Sequence, residues 1–187
     1  TQIERGNGYV YSSQHCSEGE AVHEMEELLD DQLSDFKQFK FDPGYLEKAW
    51  VGNCVAIGLS GSFVEPLEAT SIGTTINQCF ALIAPLASFR KGHTWVAKEY
   101  NHTFEKMMLN ILSMIRLHYI SDRDDSPFWI AQQEMPMPEE LEHLLGVWAE
   151  RAPVESDVHG MWNLFGFPHF YYVGQGQGVI SRKAAQD

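Results

Sequence analysis

The stretch GNCVAIGLSGSFVEPLEATSI, from Gly52 to Ile72, constrains the fold more than any other part of the sequence. The run from Trp50 to Leu59 is almost entirely apolar or small, which is typical of a strand that is buried on both faces. A loop of small residues follows, and Pro66 suits the first turn of a helix because its missing N–H is not needed there. The stretch therefore predicts a strand, a loop and a helix whose unpaired N-terminal N–H groups favour anions and ligand oxygens.

Two glutamates lie at the start of this predicted helix. Glu65 falls at or near the cap position, where an acidic side chain is favoured by the helix dipole. Glu68 follows three residues later, at the spacing of a capping-box partner. A carboxylate at a ligand-binding helix start can also serve chemistry. The pattern leaves both interpretations of Glu68 open and favours capping.

Further helices are predicted from apolar periodicity of about 3.6 residues. Ser17 and Glu20 form a capping box at the start of a helix that reaches Leu33. The helix from Pro66 extends to Pro85, and a third helix covers about 96–121. A fourth begins near Pro138 and includes Leu141, Leu144, Leu145 and Trp148. The apolar stripe of the Pro66 helix consists of Ile72, Ile76, Cys79, Phe80 and Ile83.

Two other segments have the alternation or aromatic content of strands, namely GYVYSS at 8–13 and FKQFKFDPGY at 36–45. The aromatic, glycine-rich tail at 161–179 is predicted to be packed but irregular. No linker separates these elements. The chain is therefore predicted to be a single unit without a firm internal boundary.

The charge and cysteine content argue against several functions. Acidic residues outnumber basic ones by 26 to 13, for a net charge of −13, which disfavours nucleic acid as a partner. The longest uninterrupted apolar runs are too short for a transmembrane helix, so no membrane association is predicted. The 3 cysteines show no metal-ligand spacing, and the 8 histidines form no metal motif, so no metal is assigned. Unpaired cysteines favour reduced thiols and a cytoplasmic location.

Several segments together resemble the flavin-dependent tryptophan halogenase family. The family pattern W-x-x-N-C, G-L, F-x-E-P-L-E-[SA]-T is similar to residues 50–70, and GNGYVYSS and IRLHYISDRDDSPFW have counterparts in the same order. Tyr100-Asn101 and the Gly-Gln-Gly at 174–176 agree as well. The resemblance covers nearly the whole chain, and it identifies the chain as similar to the C-terminal portion of these enzymes.

This resemblance implies an α+β fragment that is mainly helical. A few strands would complete the sheet of a Rossmann-like FAD-binding domain, within about 1–85, and about 86–187 would form a helical module that covers the substrate. The family's glycine fingerprint, its W-x-W-x-I-P segment and its catalytic lysine have no counterpart here, so a missing N-terminal part is expected to supply them. The fragment alone is expected to be inactive.

The resemblance also implies the reaction and its participants. Reduced FAD, supplied by a separate flavin reductase, would react with O₂ and a halide ion, chloride or bromide, to give hypohalous acid that halogenates an aromatic, indole-like substrate. Glu68 would be the catalytic carboxylate, which polarises the halogenating species and accepts the proton of the substrate. Backbone and side-chain groups of Thr70 and Ser71 would bind the halide. Leu59 and Ile72 would pack on the flavin, although plain core packing is an equal alternative for both.

The substrate contacts are less constrained, and one position departs from the family pattern. Trp162, Phe165 and Phe170 are candidate substrate residues, while aromatic residues in such a tail more often pack in the core. Ala69 stands where many family members have serine, so no hydroxyl can link flavin and lysine here. Two other functions remain open, a non-catalytic helical interaction domain and a flavin monooxygenase relative that hydroxylates its substrate.

Overall fold

The computed structural model of the chain describes residues 6–180, which divide into two compact units. The first unit consists of the described residues up to Phe41 together with Asp122–Met135. It contains the helices α1, Glu18–Leu29, and α4, Pro127–Glu134. The second consists of Asp42–Ser121 and the described residues from Pro136 onward. The predicted division into a flavin-domain part at about 1–85 and a substrate-covering module at about 86–187 does not coincide with these two units, and it stays a prediction.

The predicted capping box at the start of α1 is confirmed. The Glu20 N–H donates to Ser17 Oγ, and the Ser17 N–H donates in return to the Glu20 carboxylate at 2.8 Å. The helix ends at Leu29 rather than at Leu33, because Asp30 adopts the left-handed conformation with a φ of 52°. The pattern of the sequence did not predict α4, where the Ser126 side chain caps the first turn.

The two early strand predictions are wrong. Residues 6–13 contain no strand, and of the segment 36–45 only Gly44–Tyr45 is extended in a sheet. In the first unit, Tyr9 bonds Glu24 through its O–H, and Gln38 Nε2 donates to the Tyr11 oxygen at 2.5 Å. The alternating aromatic residues therefore bond to α1 and to the segment around Gln38 rather than forming a strand. A strand requires a neighbouring strand, and the sequence pattern could not supply one.

The strands of the second unit are short and antiparallel. β1, Gly44–Tyr45, pairs with β4, Ser62–Phe63, and β2, Trp50–Val51, pairs with β3, Cys54–Val55. The single buried strand predicted for Trp50–Leu59 is thus wrong. Gly52, with a φ of 60°, allows a turn that folds this segment back as a hairpin. Val51 and Cys54 are exposed, so the hairpin is not buried on both faces.

Helix α2, Thr70–Phe89, also differs from its prediction. It begins four positions after Pro66 and continues through Pro85 to Phe89. The side facing the rest of the unit is polar, because Thr70, Thr74 and Gln78 are buried. The predicted apolar stripe is instead exposed, and Ile72, Ile76, Phe80 and Ile83 have 50–72% of their surface accessible.

The stretch Leu67–Phe89 has the length and apolar content that would suffice to cross a membrane. No transmembrane stretch is predicted from the sequence, because its longest uninterrupted apolar runs are short. The length and mean apolar content of Leu67–Phe89 do not support that prediction. Only 17% of its most apolar 18-residue segment is buried in the structure. The exposed face of this helix is thus more apolar than its buried face.

Helix α3, Val96–His118, forms the centre of the second unit and confirms its prediction. It packs against α2, against α5, Glu139–Glu150, and against α6, Phe167–Gly176. The predicted start of α5 at Pro138 is also confirmed, because Pro138 is its N-cap. The tail prediction is wrong, since α6 occupies part of it. The largest fully buried side chains of the core are Trp148, Tyr100, Phe104, Met107, Met108, Ile111, Met114, Leu117 and Leu141.

Two asparagines of α3 fix the segments that cross it. Asn101 accepts from the Trp50 N–H at 2.7 Å and donates to the Trp50 carbonyl at 2.9 Å. Asn110 makes the same pair of hydrogen bonds to Phe165, accepting from its N–H at 3.0 Å and donating to its carbonyl at 2.9 Å. Each amide satisfies both backbone groups of one residue, as a neighbouring strand would. The hairpin and the segment before α6 are thereby held in register on α3.

Candidate active site

The segment Glu65-Pro66-Leu67-Glu68 turns the chain sharply before α2 begins. Residues Leu67–Ala69 form a 3-10 turn, in which Glu68 has φ 59° and ψ 18°. Ala69 is also left-handed, with a φ of 51°. Left-handed backbone costs a residue with a side chain about 1–2 kcal/mol, and it persists where the surroundings require it. This double turn delays the start of α2 to Thr70 and directs Glu68 away from the cap position.

The two glutamates are both bonded to the end of α3. His118 Nε2 lies 3.1 Å from Glu68 Oε1, and Tyr119 donates its O–H to the Glu65 carboxylate at 3.1 Å. The capping-box interpretation of Glu68 is therefore wrong. The predicted structural role of Glu65 takes a different form, because its partner is a tyrosine of the last turn of α3. A pair of neighbouring residues thus holds the pair of glutamates.

The end of α3 is itself fixed from two directions. His118 Nδ1 lies 2.8 Å from the Met114 carbonyl, one turn earlier in the same helix. Gln177, just beyond α6, donates from Nε2 to the His118 carbonyl at 2.7 Å. The imidazole ring and the backbone of His118 are therefore both held by contacts that do not involve Glu68.

The carboxylates of Glu65 and Glu68 differ in burial and therefore in their electrostatic surroundings. Burial raises the pKa of Glu65, while the Tyr119 O–H and the nearby His118 oppose this rise. Burial and the Glu65 carboxylate together raise the pKa of Tyr119 to about 12, so Tyr119 keeps its proton at neutral pH. Glu68 is more open, with 44% of its side chain exposed, against 19% for His118. Glu68 can therefore meet a ligand from outside this chain, whereas Glu65 cannot do so readily.

The start of α2 has the features of an anion site. Its N-cap residue is Ala69, which has no side-chain acceptor for the first N–H groups of the helix. These groups and the helix dipole favour a negative charge there, and the turn from left-handed Ala69 to right-handed Thr70 brings successive N–H groups together. Chemically, the site combines an exposed carboxylate with a nearby helix start that attracts anions.

The structure distinguishes the two predicted halide residues. Thr70 is only 2% exposed, and its hydroxyl donates to the Glu65 carbonyl at 3.3 Å. Ser71 is half-buried, and its hydroxyl has no hydrogen-bond partner among residues 6–180. The Thr70 hydroxyl is thus used within the fold, so only the backbone of Thr70 remains for an anion. Ser71 has both its backbone and its side chain available.

The two predicted flavin contacts, Leu59 and Ile72, are both 72% exposed. Neither is a core residue of this chain, so the structure does not support the alternative of plain core packing. Gly58 precedes Leu59 with a φ of 62°, and its N–H donates to the buried Gln78 Oε1 at 2.8 Å. This bond fixes the loop that carries Leu59 to α2, which carries Ile72. Leu59 and Ile72 are therefore exposed apolar side chains on two segments that a hydrogen bond joins, and their contact with flavin stays a prediction.

The predicted substrate residues fall into two groups. Phe165 and Phe170 are 4% and 2% exposed and belong to the core, so the structure favours core packing for both. Trp162 is half-buried, and its carbonyl accepts from Asn77 Nδ2 of α2 at 3.3 Å. Gly73 lets this segment approach α2, because a Cβ at that position would lie 2.6 Å from Leu164. Of the three, Trp162 alone is partly exposed, and its backbone bonds to α2.

His118 and Tyr119 are the site residues that sequence reasoning missed. Both lie inside the segment IRLHYISDRDDSPFW, which carried part of the family resemblance. Their neighbouring positions at the end of a long amphipathic helix were visible in the sequence. Their bonds to Glu68 and Glu65 cross 50 and 54 residues and depend on how α3 meets the turn before α2.

Comparisons with known proteins agree on one family. The family model for tryptophan halogenase matches residues 2–186. Tryptophan 7-halogenase RebH from Lentzea aerocolonigenes is 32% identical over 94% of the chain, and tryptophan 7-halogenase KtzQ from Kutzneria sp. (strain 744) is 33% identical over 82% of it. The matched parts amount to 36% and 29% of those two proteins.

Solved structures show the same relationship. BrvH, a flavin-dependent halogenase from Brevundimonas sp. BAL3, superposes on 92% of the chain with a TM-score of 0.79 and 35% identity. The tryptophan 6-halogenase SttH from Streptomyces toxytricini superposes on 96% with a TM-score of 0.82 and 27% identity. The superposed parts cover 35% and 36% of those chains. The chain therefore spans about a third of the length of the relatives that it matches.

Proposed function

The chain belongs to the tryptophan halogenase family, and we propose that it is the C-terminal part of an FAD-dependent enzyme that halogenates an aromatic, indole-like substrate. One observation carries the proposal. The strained turn at Glu68 places an exposed carboxylate, bonded to His118, beside a helix start that lacks a side-chain cap. An anion site next to a proton acceptor is the combination that replacing an aromatic hydrogen by halogen requires.

FAD is the cofactor that the family implies. Leu59 and Ile72 would hold the apolar part of the flavin, since their exposed side chains stand on fixed backbone. When bound, reduced FAD supplies with O₂ the oxidising power that converts halide to hypohalous acid. A separate flavin reductase would provide the reduced cofactor, and the cytoplasm, where thiols stay reduced, suits the free cysteines of the chain.

Glu68 would act on the substrate as general base. When the aromatic carbon has taken the halogen, its C–H bond breaks, the electron pair restores the aromatic ring, and the proton goes to the Glu68 carboxylate. General-base catalysis by a positioned carboxylate contributes about 10²- to 10⁴-fold in rate. The partial exposure of Glu68 gives the substrate access, and its bond to His118 fixes its direction.

The start of α2 would hold the halide, chloride or bromide. The backbone N–H groups of Thr70 and Ser71 belong to the first turn, which has no helical partners for them. The free Ser71 hydroxyl adds a donor at the same place. Of the three candidate aromatic residues, Trp162 best suits contact with an aromatic substrate, because it is half-buried whereas Phe165 and Phe170 lie in the core.

The exposed face of α2 would pack against the remaining part of the protein. Ile72, Ile76, Phe80 and Ile83 form an apolar surface that this chain leaves uncovered. The relatives are about three times as long as the matched region, which leaves ample protein to cover it. We therefore expect the flavin domain of the same protein, rather than a membrane, to lie on this face.

Product analysis tests the proposed function. The full-length protein, with FAD and a flavin reductase, would be given tryptophan and related indoles in chloride or bromide and analysed by mass spectrometry. We expect products that carry the halogen supplied, and none when halide is omitted. A hydroxylated product without halogen would instead indicate a monooxygenase, and no product with any indole or phenol would favour an interaction domain.

A further inference from the structure

The His118 ring uses both nitrogens in this structure. Nδ1 lies 2.8 Å from the Met114 carbonyl oxygen, and Nε2 lies 3.1 Å from Glu68 Oε1. A carbonyl oxygen can only accept a hydrogen bond, so Nδ1 must carry a hydrogen. In the neutral ring the hydrogen is then on Nδ1, and Nε2 is a bare acceptor.

A bare Nε2 cannot bond to an ionised carboxylate, because both groups offer only lone pairs. The contact between Nε2 and Oε1 therefore requires a proton between them. We propose that His118 is the positioning residue of Glu68, which holds Oε1 through one shared proton and so leaves Oε2 as the oxygen that accepts the substrate proton. The assignment of Oε2 rests on the proposed function, whereas the shared proton does not.

The surroundings of the pair favour this arrangement. The titratable groups that face it are Glu65, on the same turn as Glu68, and Tyr119, on the same helix as His118. From α6, the neutral Gln177 side chain bonds the His118 carbonyl and adds no charge. Glu65 and Glu68 are thus the two carboxyl groups beside this imidazole, and Glu68 is the one within hydrogen-bond distance of Nε2. The strained backbone of Glu68 and the fixed ring restrain the carboxylate from both ends.

Histidine-selective ¹⁵N NMR of the full-length holoprotein tests the shared proton without reference to turnover. We expect His118 to carry a hydrogen on Nδ1 in the wild type and in both variants described below, because the Met114 carbonyl can only accept. In the wild type we expect a hydrogen on Nε2 that is bonded to the Glu68 carboxylate, whereas in the Glu68→Gln variant at neutral pH we expect Nε2 to be a bare acceptor, because its partner can now donate. The glutamine amide can still donate to the bare Nε2, so the contact survives. Glu105→Gln is the matched control, because it removes a carboxylate 3.6 Å from His102 and should leave His118 unchanged.

Two NMR results would overturn the shared proton. One is a neutral ring protonated on Nε2 and bare on Nδ1, and the other is an Nε2 resonance that is the same in the wild type and in Glu68→Gln. Either result concerns the pair alone, and the halogenation assay would still decide the proposed function separately.

Kinetics test the positioning role. His118→Leu should lower kcat roughly 10- to 100-fold, the range for misplacing a catalytic group, with KM for substrate unchanged. His118→Gln should recover part of the loss, because its amide can donate to Oε1. The Glu105→Gln control should turn over at the normal rate. Equal kcat for wild type and His118→Leu would refute positioning, as would equal loss in the leucine and glutamine variants.

Discussion

The phenolic O–H of Tyr119 donates to the Glu65 carboxylate at 3.1 Å, which joins the end of α3 to the turn that carries Glu68. This bond is one of two parallel links, since the neighbouring His118 holds Glu68 in the same way. The two links have different characters. Tyr119 and Glu65 are half-buried and support the turn, whereas Glu68 is open to a ligand.

The Glu65 link gives a prediction about stability and pH. Because the folded state raises the pKa of Glu65, this carboxyl contributes stability that is fully present below its unfolded pKa, about 4.3, and that is lost as the pH rises through the folded value. Glu65→Gln removes this dependence and keeps an acceptor for Tyr119. We expect the stability of the variant relative to wild type to increase from about pH 4 to about pH 7. Chemical denaturation at each pH measures it, and Glu47→Gln, at an exposed position, should show no such trend.

Glu68→Gln in the full-length protein should lower halogenation by at least roughly 10²-fold, the low end for a lost general base. Flavin binding should stay near normal, because Glu68 does not lie among the apolar flavin contacts. Product formation per reduced flavin would be measured with Glu105→Gln as a control. Turnover at the wild-type rate would restrict Glu68 to a structural role in the turn.

Substitutions of Thr70 and Ser71, at the start of α2, should have different effects on halide use. Ser71→Gly should change the ratio of bromide to chloride turnover, because it removes a free hydroxyl and its bulk. Thr70→Val should leave the Michaelis constants for both halides almost unchanged, since its hydroxyl bonds the Glu65 carbonyl. That variant should instead lose about 1 kcal/mol of unfolding free energy. Halide titrations and denaturation of both variants provide the check, and an unchanged ratio for Ser71→Gly would place the anion elsewhere.

The exposed face of α2 predicts opposite effects in the two forms of the protein. In the isolated 187-residue chain, the double change Ile76→Gln and Phe80→Gln should raise the monomeric fraction, because it removes an exposed apolar surface. In the full-length protein, the same change should cost about 2 kcal/mol or more of unfolding free energy, the burial energy of such side chains. Sedimentation and denaturation measure the two effects. Lys98→Gln, at an exposed position on α3, serves as the control. An unaltered full-length stability would mean that the flavin domain does not cover this face.

The isolated chain should neither retain FAD nor halogenate. Its proposed flavin contacts are two apolar side chains and a helix start, and these lack the phosphate-binding turn of a dinucleotide fold. Absorbance spectra during gel filtration would show whether flavin travels with the chain. Stoichiometric flavin in the protein peak would contradict the proposed division of the site between two parts of a longer protein.

Local sequence patterns determined the helices whose partners lie within this chain. The capping box of Ser17 and Glu20, the long apolar face of α3 and the start of α5 after Pro138 were all predicted correctly. Each depends on residues three or four positions apart, so neighbouring side chains suffice to specify it. The motif around Glu68 was sufficient in the same way to identify the family.

Tertiary structure alone decided the candidate site. Periodicity showed that Ile72, Ile76 and Phe80 share one face of α2, but it could not show that this face is left open while Thr74 and Gln78 are buried. The reason is that a stripe specifies which side chains avoid water and does not specify what covers them. The roles of Glu65 and Glu68 likewise depend on partners more than 50 positions away, which only the packing of α3 against the turn brings within hydrogen-bond distance.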